Sequence, residues 1–143
     1  MSVTQILSVK GNKVVTATPD RTLHETAQTM ASNGIGAIIV CGAAGEIAGI
    51  LSERDILRAV AEHGARALEQ RVSSHMTRNV VTATPDATVH MLMQRMTAGR
   101  FRHMPVLRNG ELEGIVSIGD LIKHRLGELE DEQQALRAYI ATA

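Results

Sequence analysis

Aromatic side chains are almost absent from this sequence, which contains one phenylalanine, one tyrosine and no tryptophan. Proteins that bind unpaired bases by stacking need several aromatic rings, so the composition excludes that class of nucleic-acid-binding protein. The sequence also lacks an excess of charge of either sign, because 15 basic residues balance 15 acidic residues. We therefore expect no general electrostatic attraction to nucleic acid or to an anionic membrane.

Cysteine is equally scarce. Cys41 is the single cysteine of the chain, which excludes an internal disulfide and a cysteine metal cluster. The six histidines show no His-x-x-x-His spacing, which argues against a metal site. No apolar run reaches the length of a membrane span, and the first six residues do not read as a signal peptide. We expect a soluble cytoplasmic protein with neither nucleic-acid nor membrane partners.

A nine-residue segment occurs twice in the chain. Residues 14–22 and 80–88 are identical at eight of nine positions, and Thr16 is equivalent to Thr82. Chance does not produce this agreement, so we interpret the chain as an internal duplication. Two copies are too few for a solenoid, and we expect a pseudo-symmetric pair formed by residues 1–72 and 73–143.

Each copy predicts the order strand, helix, strand, strand, helix, which gives a mixed α+β fold. In copy one, Thr22 is expected to begin a helix as its N-cap, with Glu25 in the position of a capping box. Residues 36–41 are apolar throughout, as expected of a strand buried on both faces, and residues 47–51 form the next strand. Ser52 is expected to begin the second helix.

The last helix of copy two extends beyond the repeat. Gly127 is expected to break or bend it. Apolar residues nevertheless continue at helical spacing, and we interpret them either as a dimer contact or as packing on the same domain. These residues are Ile122, Leu126, Leu129, Leu136 and Ile140.

The most informative pattern is Gly-apolar-x-Ser-x-x-Asp, which occurs at 49–55 and again at 114–120. Each time an apolar strand leads into a helix, so backbone N–H groups, a hydroxyl and a carboxylate converge at a helix N-terminus. The N–H groups suit a phosphate, and the carboxylate suits the two vicinal hydroxyls of a ribose. The same pattern is also a capping box, so a purely structural role stays open.

The duplicated pattern resembles a pair of CBS (cystathionine β-synthase) domains. The sequences at 52–57 and 102–106 are similar to those of stand-alone bacterial CBS-pair proteins, and the resemblance covers about residues 14–125. It implies two β-α-β-β-α repeats related by a pseudo-twofold axis, a disc-like homodimer, and clefts between the repeats that bind AMP, another adenine nucleotide, NAD(H) or S-adenosylmethionine.

The implied function is a non-catalytic module that signals cellular energy or redox state to an unknown partner protein. The alternative is a structural or dimerisation module with vestigial clefts, and a small enzyme is a third and weaker hypothesis. In the family, the aspartate of the motif binds ribose, the serine faces phosphate, and strands of the opposite copy surround the base.

Carried over to this chain, the resemblance implies two groups of site residues. One cleft combines the first motif with residues of copy two: Ser52, Arg54, Asp55, Val81, Thr82, Thr84, Arg102, His103, Met104 and Pro105. The other cleft combines the second motif with residues of copy one: Ser117, Asp120, Thr16, Thr18, Ile35, Gly36 and Ala37. We expect the phosphate in the first cleft, which has more basic residues. The threonines can also be simple strand formers, and Arg102 a solvated charge at a strand edge.

Overall fold

A computed structural model describes residues 2–11 and 13–142. In chain order its regular elements are α1 (Val3–Lys10), β1 (Thr16–Ala17), α2 (Leu23–Asn33), β2 (Ala37–Cys41), β3 (Ile47–Ser52), α3 (Glu53–His63), α4 (Val89–Gly99), β4 (His103–Arg108), β5 (Glu111–Ser117) and α5 (Ile118–Thr142). Two 3₁₀ helices follow α3, at Gly64–Glu69 and Val72–Ser74. The predicted mixed α+β fold is confirmed.

The chain divides into two compact units. The copy-one unit is Lys13–Val81, and the copy-two unit combines Met1–Asn12 with Thr82–Ala143. These units differ from the sequence division at 72/73, because the segment at the start of the chain packs with copy two and the segment around 72–78 packs with copy one.

The copy-one unit contains a three-stranded sheet in the order β1-β2-β3, with β1 parallel and β3 antiparallel to β2. α2 begins at the predicted capping box, in which Thr22 Oγ1 accepts from Glu25 N at 3.1 Å and Glu25 Oε1 accepts from Thr22 N at 3.3 Å. The helix ends where Gly34 adopts a left-handed φ of 61°. The consecutive β2 residues Ile38, Ile39 and Val40 are fully buried, as expected for a central strand covered on both faces.

The copy-two unit repeats this arrangement with one difference. β4 and β5 form an antiparallel hairpin whose turn residues, Asn109 and Gly110, both have positive φ, as the Asn-Gly pair predicts. The place of the first strand is taken by a single parallel bridge between Ala83 and Val106. The core lies between the hairpin and the helices and contains fully buried Leu92, Met104 and Leu121, among others.

The helix α1 was not among the predicted elements. Its apolar residues Val3, Ile6 and Leu7 stand at the i, i+3, i+4 spacing of a helix and are buried in the core of the copy-two unit. Backbone hydrogen bonds from Val3 N to Ala87 O (2.9 Å) and from Thr4 N to Pro85 O (3.0 Å) attach it to that unit. α1 therefore completes the copy-two core.

The last helix, α5, runs without a break from Ile118 to Thr142, so the prediction that Gly127 breaks it is wrong. Leu121 is its single buried residue among those described, and packing on the same domain does not cover the apolar stripe beyond it. The stripe residues are between 40% and 65% exposed: Ile122, Leu126, Leu129, Leu136 and Ile140. Neither α5 nor any other helix in the described part of the chain is long and apolar enough to span a bilayer.

Candidate functional site

The first Ser-x-x-Asp motif joins β3 to α3. Asp55 Oδ2 accepts hydrogen bonds from Ser52 N (2.8 Å) and Ser52 Oγ (3.0 Å), while Ser52 Oγ accepts from Asp55 N (3.3 Å). The Asp55 side chain is only 9% exposed, and its Oδ1 meets Arg58 Nη1 at 3.5 Å. Within the described residues this long contact is the one partner of Oδ1, so the capping box leaves most of that oxygen's accepting capacity unused.

The second motif has the same local geometry at the start of α5. Asp120 Oδ2 accepts from Ser117 N (2.8 Å), and Ser117 Oγ accepts from Asp120 N (3.1 Å). Lys10, the last residue of α1, adds an ion pair with its Nζ 2.6 Å from Asp120 Oδ2, which is shorter than the 3.5 Å contact between Arg58 and Asp55 in copy one. Both motifs are therefore capping boxes, and the second also binds the ammonium group of Lys10.

The environment of Asp120 lowers the pKa of its carboxyl group. Partial burial is the largest single effect and raises the pKa, but the hydrogen bond from Lys10, the hydrogen bond from Ser117 N and the charge of Lys10 together outweigh it. Asp120 is consequently ionised throughout the neutral pH range and can accept hydrogen bonds from hydroxyl groups.

Each copy places the start of its central hairpin strand beside its own motif. In the copy-one unit Gly36 O accepts from Glu53 N at 3.0 Å, and Ala37 pairs with Ser52. In the copy-two unit Arg102 O accepts from Ile118 N at 2.8 Å. The pairing of His103 with Ser117 completes the second contact.

The sequence grouped these strand segments with the motif of the opposite copy. The structure brings Gly36 and Ala37 to the start of α3, and Arg102 and His103 to the start of α5. Ile35 directly precedes Gly36, and its N–H donates to Met30 O at the end of α2. The grouping across the copies stays a prediction, as do the roles of Arg54 and Val81, which are both exposed.

The predicted threonines have a local role that the sequence analysis missed. Thr84 Oγ1 donates to Asp86 Oδ1 at 2.5 Å, and this bond is the main cause of a lowered pKa of Asp86. A hydrogen bond from Thr18 likewise is the main cause of a lowered pKa of Asp20, at the equivalent position of copy one. These two threonines therefore stabilise the Thr-Pro-Asp turns, although both remain exposed, as Thr16 does.

Three predicted site residues have buried side chains. Met104 and Ala37 are 0% and 5% exposed and Pro105 is buried as well, since all three lie in the central strands. Met104 packs in the core of the copy-two unit, and contact of these three residues with a ligand would involve mainly their backbone. Their assignment to the clefts stays a prediction.

The copy-two unit also contains an open cavity of about 570 Å³. Thr82 and Thr84 line it together with Asp86 and Arg95, but neither Ser117 nor Asp120 does. The cavity therefore includes two of the predicted residues without the motif that is expected to bind ribose.

Metal and nucleophile chemistry find no support in the geometry. In the parts of the chain that the structure describes, no three His, Cys, Asp or Glu side chains come close enough to hold a metal ion. Burial raises the pKa of the Cys41 thiol, and the charge of Glu46 adds to this effect, which disfavours the reactive thiolate.

Lys10 precedes the first strand, where the sequence favours a loop over a residue that reaches the outer end of a ligand. In the structure Lys10 is instead the last residue of α1, and Val3, Ile6 and Leu7 mark the helical face that ends in the turn carrying it. That face would have indicated a packed helix, although not the surface on which it packs.

Known proteins resemble this chain both in sequence and in fold. The sequence profile of the CBS domain matches residues 6–62 and 72–127. A crystal structure of a CBS-domain containing protein from Agrobacterium tumefaciens shares 48% sequence identity with a TM-score of 0.85, covering 87% of this chain and 92% of that chain.

Two further relatives extend the comparison. The mitochondrial CBS domain-containing protein CBSX3 of Arabidopsis thaliana is 33% identical in an alignment of 147 positions, which covers 97% of this chain and 71% of that protein. A CBS domain protein from Pyrobaculum aerophilum, whose structure is a complex with AMP, shares 28% identity with a TM-score of 0.75 and covers 84% of this chain and 89% of that chain.

Proposed function

Because the chain belongs to the CBS domain family, we propose that it is a regulatory module that binds an adenine nucleotide and has no catalytic activity of its own. The observation that carries this proposal is the pair of equivalent helix starts, at Ser52–Asp55 and Ser117–Asp120, in which a carboxylate and a serine hydroxyl are fixed together. The relative from Pyrobaculum aerophilum, which is complexed with AMP, supports an adenosyl ligand.

We assign the ribose hydroxyls to Asp55 and Asp120, since a fixed carboxylate can accept from two vicinal hydroxyl groups. The geometry within the copy-two unit leads us to place Arg102 and His103 with Ser117 and Asp120, because the hairpin strand and the helix start are hydrogen-bonded there. This differs from the grouping expected from the sequence. A phosphate would then meet the N-terminus of α5 together with basic side chains of the same unit.

Thermal shift against AMP, ADP, ATP, NAD(H) and S-adenosylmethionine tests the proposal. A ligand that binds the native state alone stabilises it by about 2.7 kcal/mol at a hundred times its Kd. For a domain of this size that corresponds to a rise in Tm of about 5–10 °C. No shift with any of these compounds at millimolar concentration would refute nucleotide binding and favour the structural alternative, and steady turnover lost with Asp55→Ala would favour an enzyme.

We propose a second copy of the chain as the partner of the exposed stripe of α5. The helix is 25 residues long, or about 37 Å, and most of its apolar side chains are uncovered. Sedimentation equilibrium should show a homodimer that Leu126→Glu dissociates and the neighbouring surface change Arg125→Glu leaves intact, and a wild-type monomer at micromolar concentration would refute this interface.

We further propose that nucleotide binding changes the state of a regulated protein, and that the module works in a reducing compartment such as the cytoplasm. The lone, partly buried Cys41 is consistent with a reducing environment. The relative from Arabidopsis is described as mitochondrial, so fractionation of cells expressing the protein is the direct test of the compartment.

A further inference from the structure

The ammonium group of Lys10 is held at two points. Nζ donates to Asp120 Oδ2 at 2.6 Å and to the carbonyl of Ile115 at 2.7 Å. An ammonium carries three N–H donors, so one donor remains, and within the described residues it has no partner. The Lys10 side chain is 34% exposed, which leaves that donor accessible to a bound molecule.

The position of Lys10 is fixed by the packing of α1. Leu7 lies against Gly114, where an added Cβ would come within 2.7 Å of Leu7 Cδ2. Lys10 follows one turn later and reaches over β5 to the start of α5. Because α1 is anchored by buried residues, the ammonium is delivered to Asp120 with little loss of conformational freedom beyond its own side chain.

A carboxylate that binds ribose creates an electrostatic problem for a nucleotide, because its negative charge repels the phosphate on the same sugar. In the copy-two unit Lys10 neutralises that charge at 2.6 Å. In the copy-one unit the one cation paired with Asp55 among the described residues is Arg58, at 3.5 Å and with a side chain that is 68% exposed. The two motifs therefore differ in their tolerance of a charged ligand.

We propose that Lys10 is a ligand-binding residue of the copy-two site, where it offsets the charge of Asp120 and donates its remaining N–H to a phosphate, so that this site selects phosphorylated adenosyl ligands over uncharged ones. The proposal rests on the proposed function and adds a residue and a ligand preference to it. The diol and the 5′-phosphate belong to the same ribose, and the proposal requires the phosphate to lie on the side of Asp120 that carries the Lys10 ammonium.

Isothermal titration calorimetry with AMP and with adenosine tests this assignment. Lys10→Met should weaken AMP binding at one site by about tenfold to a hundredfold, the effect of losing a charged hydrogen bond, and should change adenosine binding by less than about twofold. Lys10→Arg should retain most of the preference for AMP. The matched control is Lys13→Met, which removes an exposed lysine three residues away and should bind both compounds as the wild type does.

The outcomes separate the two proposals. If wild type and Lys10→Met bind no adenosyl compound, the proposed function is refuted and the role of Lys10 with it. If wild type binds AMP but Lys10→Met loses AMP and adenosine equally, Lys10 only positions Asp120. Tighter AMP binding by Lys10→Met would show that Lys10 competes with the ligand, and unchanged binding would show that it takes no part. Each of these three results overturns the inference and leaves the function standing, and if Lys10→Met does not fold, Lys10→Gln decides by the same ratio.

Discussion

Replacing Asp55 by alanine should affect stability and ligand binding separately, and the structure allows both effects to be estimated. The substitution removes the acceptor of Ser52 N, which lies 2.8 Å from Asp55 Oδ2 in a site where the aspartate side chain is 9% exposed. Loss of a helix cap costs about 0.5–2 kcal/mol, and a buried donor without an acceptor costs about 1–3 kcal/mol. Since the two estimates describe overlapping losses, we expect about 2 kcal/mol and a fall in Tm of about 4–8 °C.

The effect on binding comes from the other face of the same side chain. If Asp55 accepts ribose hydroxyls, Asp55→Ala should weaken AMP binding by about 1–3 kcal/mol at that site. Glu25→Ala is the matched control, because Glu25 closes the same kind of capping box at Thr22 but is exposed and has no expected contact with a ligand. It should lower Tm by less than Asp55→Ala and leave AMP binding unchanged.

Calorimetric melting and AMP titration of the two variants decide the matter. A fall in Tm for Asp55→Ala with no change in AMP affinity would show that the motif is a helix cap and nothing more. A Tm change no larger than that of Glu25→Ala would refute the argument from burial.

The remaining predictions concern the copy-two unit. Gly114→Ala should destabilise the protein by about 1–3 kcal/mol, because the added Cβ would overlap the Leu7 side chain. Gly127→Ala lies in open space within α5 and should stabilise the protein by up to about 1 kcal/mol. Thermal melting of both variants checks this contrast. The lowered pKa of Asp120 means that its contribution to stability is present above the ordinary value of 3.8 and is lost as the pH falls through the lower folded-state value. Denaturation midpoints of wild type and Asp120→Asn should therefore converge at acid pH, and Lys10→Met should reduce their separation at neutral pH; a constant separation would contradict this.

Local signals in the sequence predicted most of the elements, and the reason is visible in the helix starts. Thr22 with Glu25, and Ser52 with Asp55, satisfy their own backbone groups within four residues, so these boundaries depend on nothing distant. The packing of the start of the chain on copy two was not predictable in the same way. Whether α1 packs on copy one or copy two depends on which core has space for it, and a helical face such as that ending at Leu7 is compatible with either.

The structure shows that the segment beginning at Val72 is the counterpart of the start of α1, an equivalence that the sequence repeat does not indicate. Val72 N and Ser73 N donate to Arg21 O and Pro19 O (2.8 and 3.1 Å), just as the first residues of α1 donate to the equivalent carbonyls of copy two. Met76 then lies against Gly49, its Sδ 2.7 Å from the position of an added Cβ, as Leu7 lies against Gly114. The packed residues Leu7 and Met76 are 69 positions apart, whereas the aligned strand residues Thr16 and Thr82 are 66 apart. The chain therefore has three more residues between Leu7 and Thr16 than between Met76 and Thr82.

Those three residues explain why the copies differ chemically despite their shared pattern. In the copy-one unit the chain turns away after Met76, and Thr77 pairs with Ile50. In the copy-two unit the equivalent segment stays helical for about one more turn, which carries Lys10 to Asp120. A duplicated chain begins with two identical sites, and a difference of one helical turn is enough to give one carboxylate a cation and leave the other with a weak contact. The two motifs therefore differ in the position of a positive charge and not in their own hydrogen bonds, and our proposal for Lys10 predicts that this difference gives the two halves different ligand preferences.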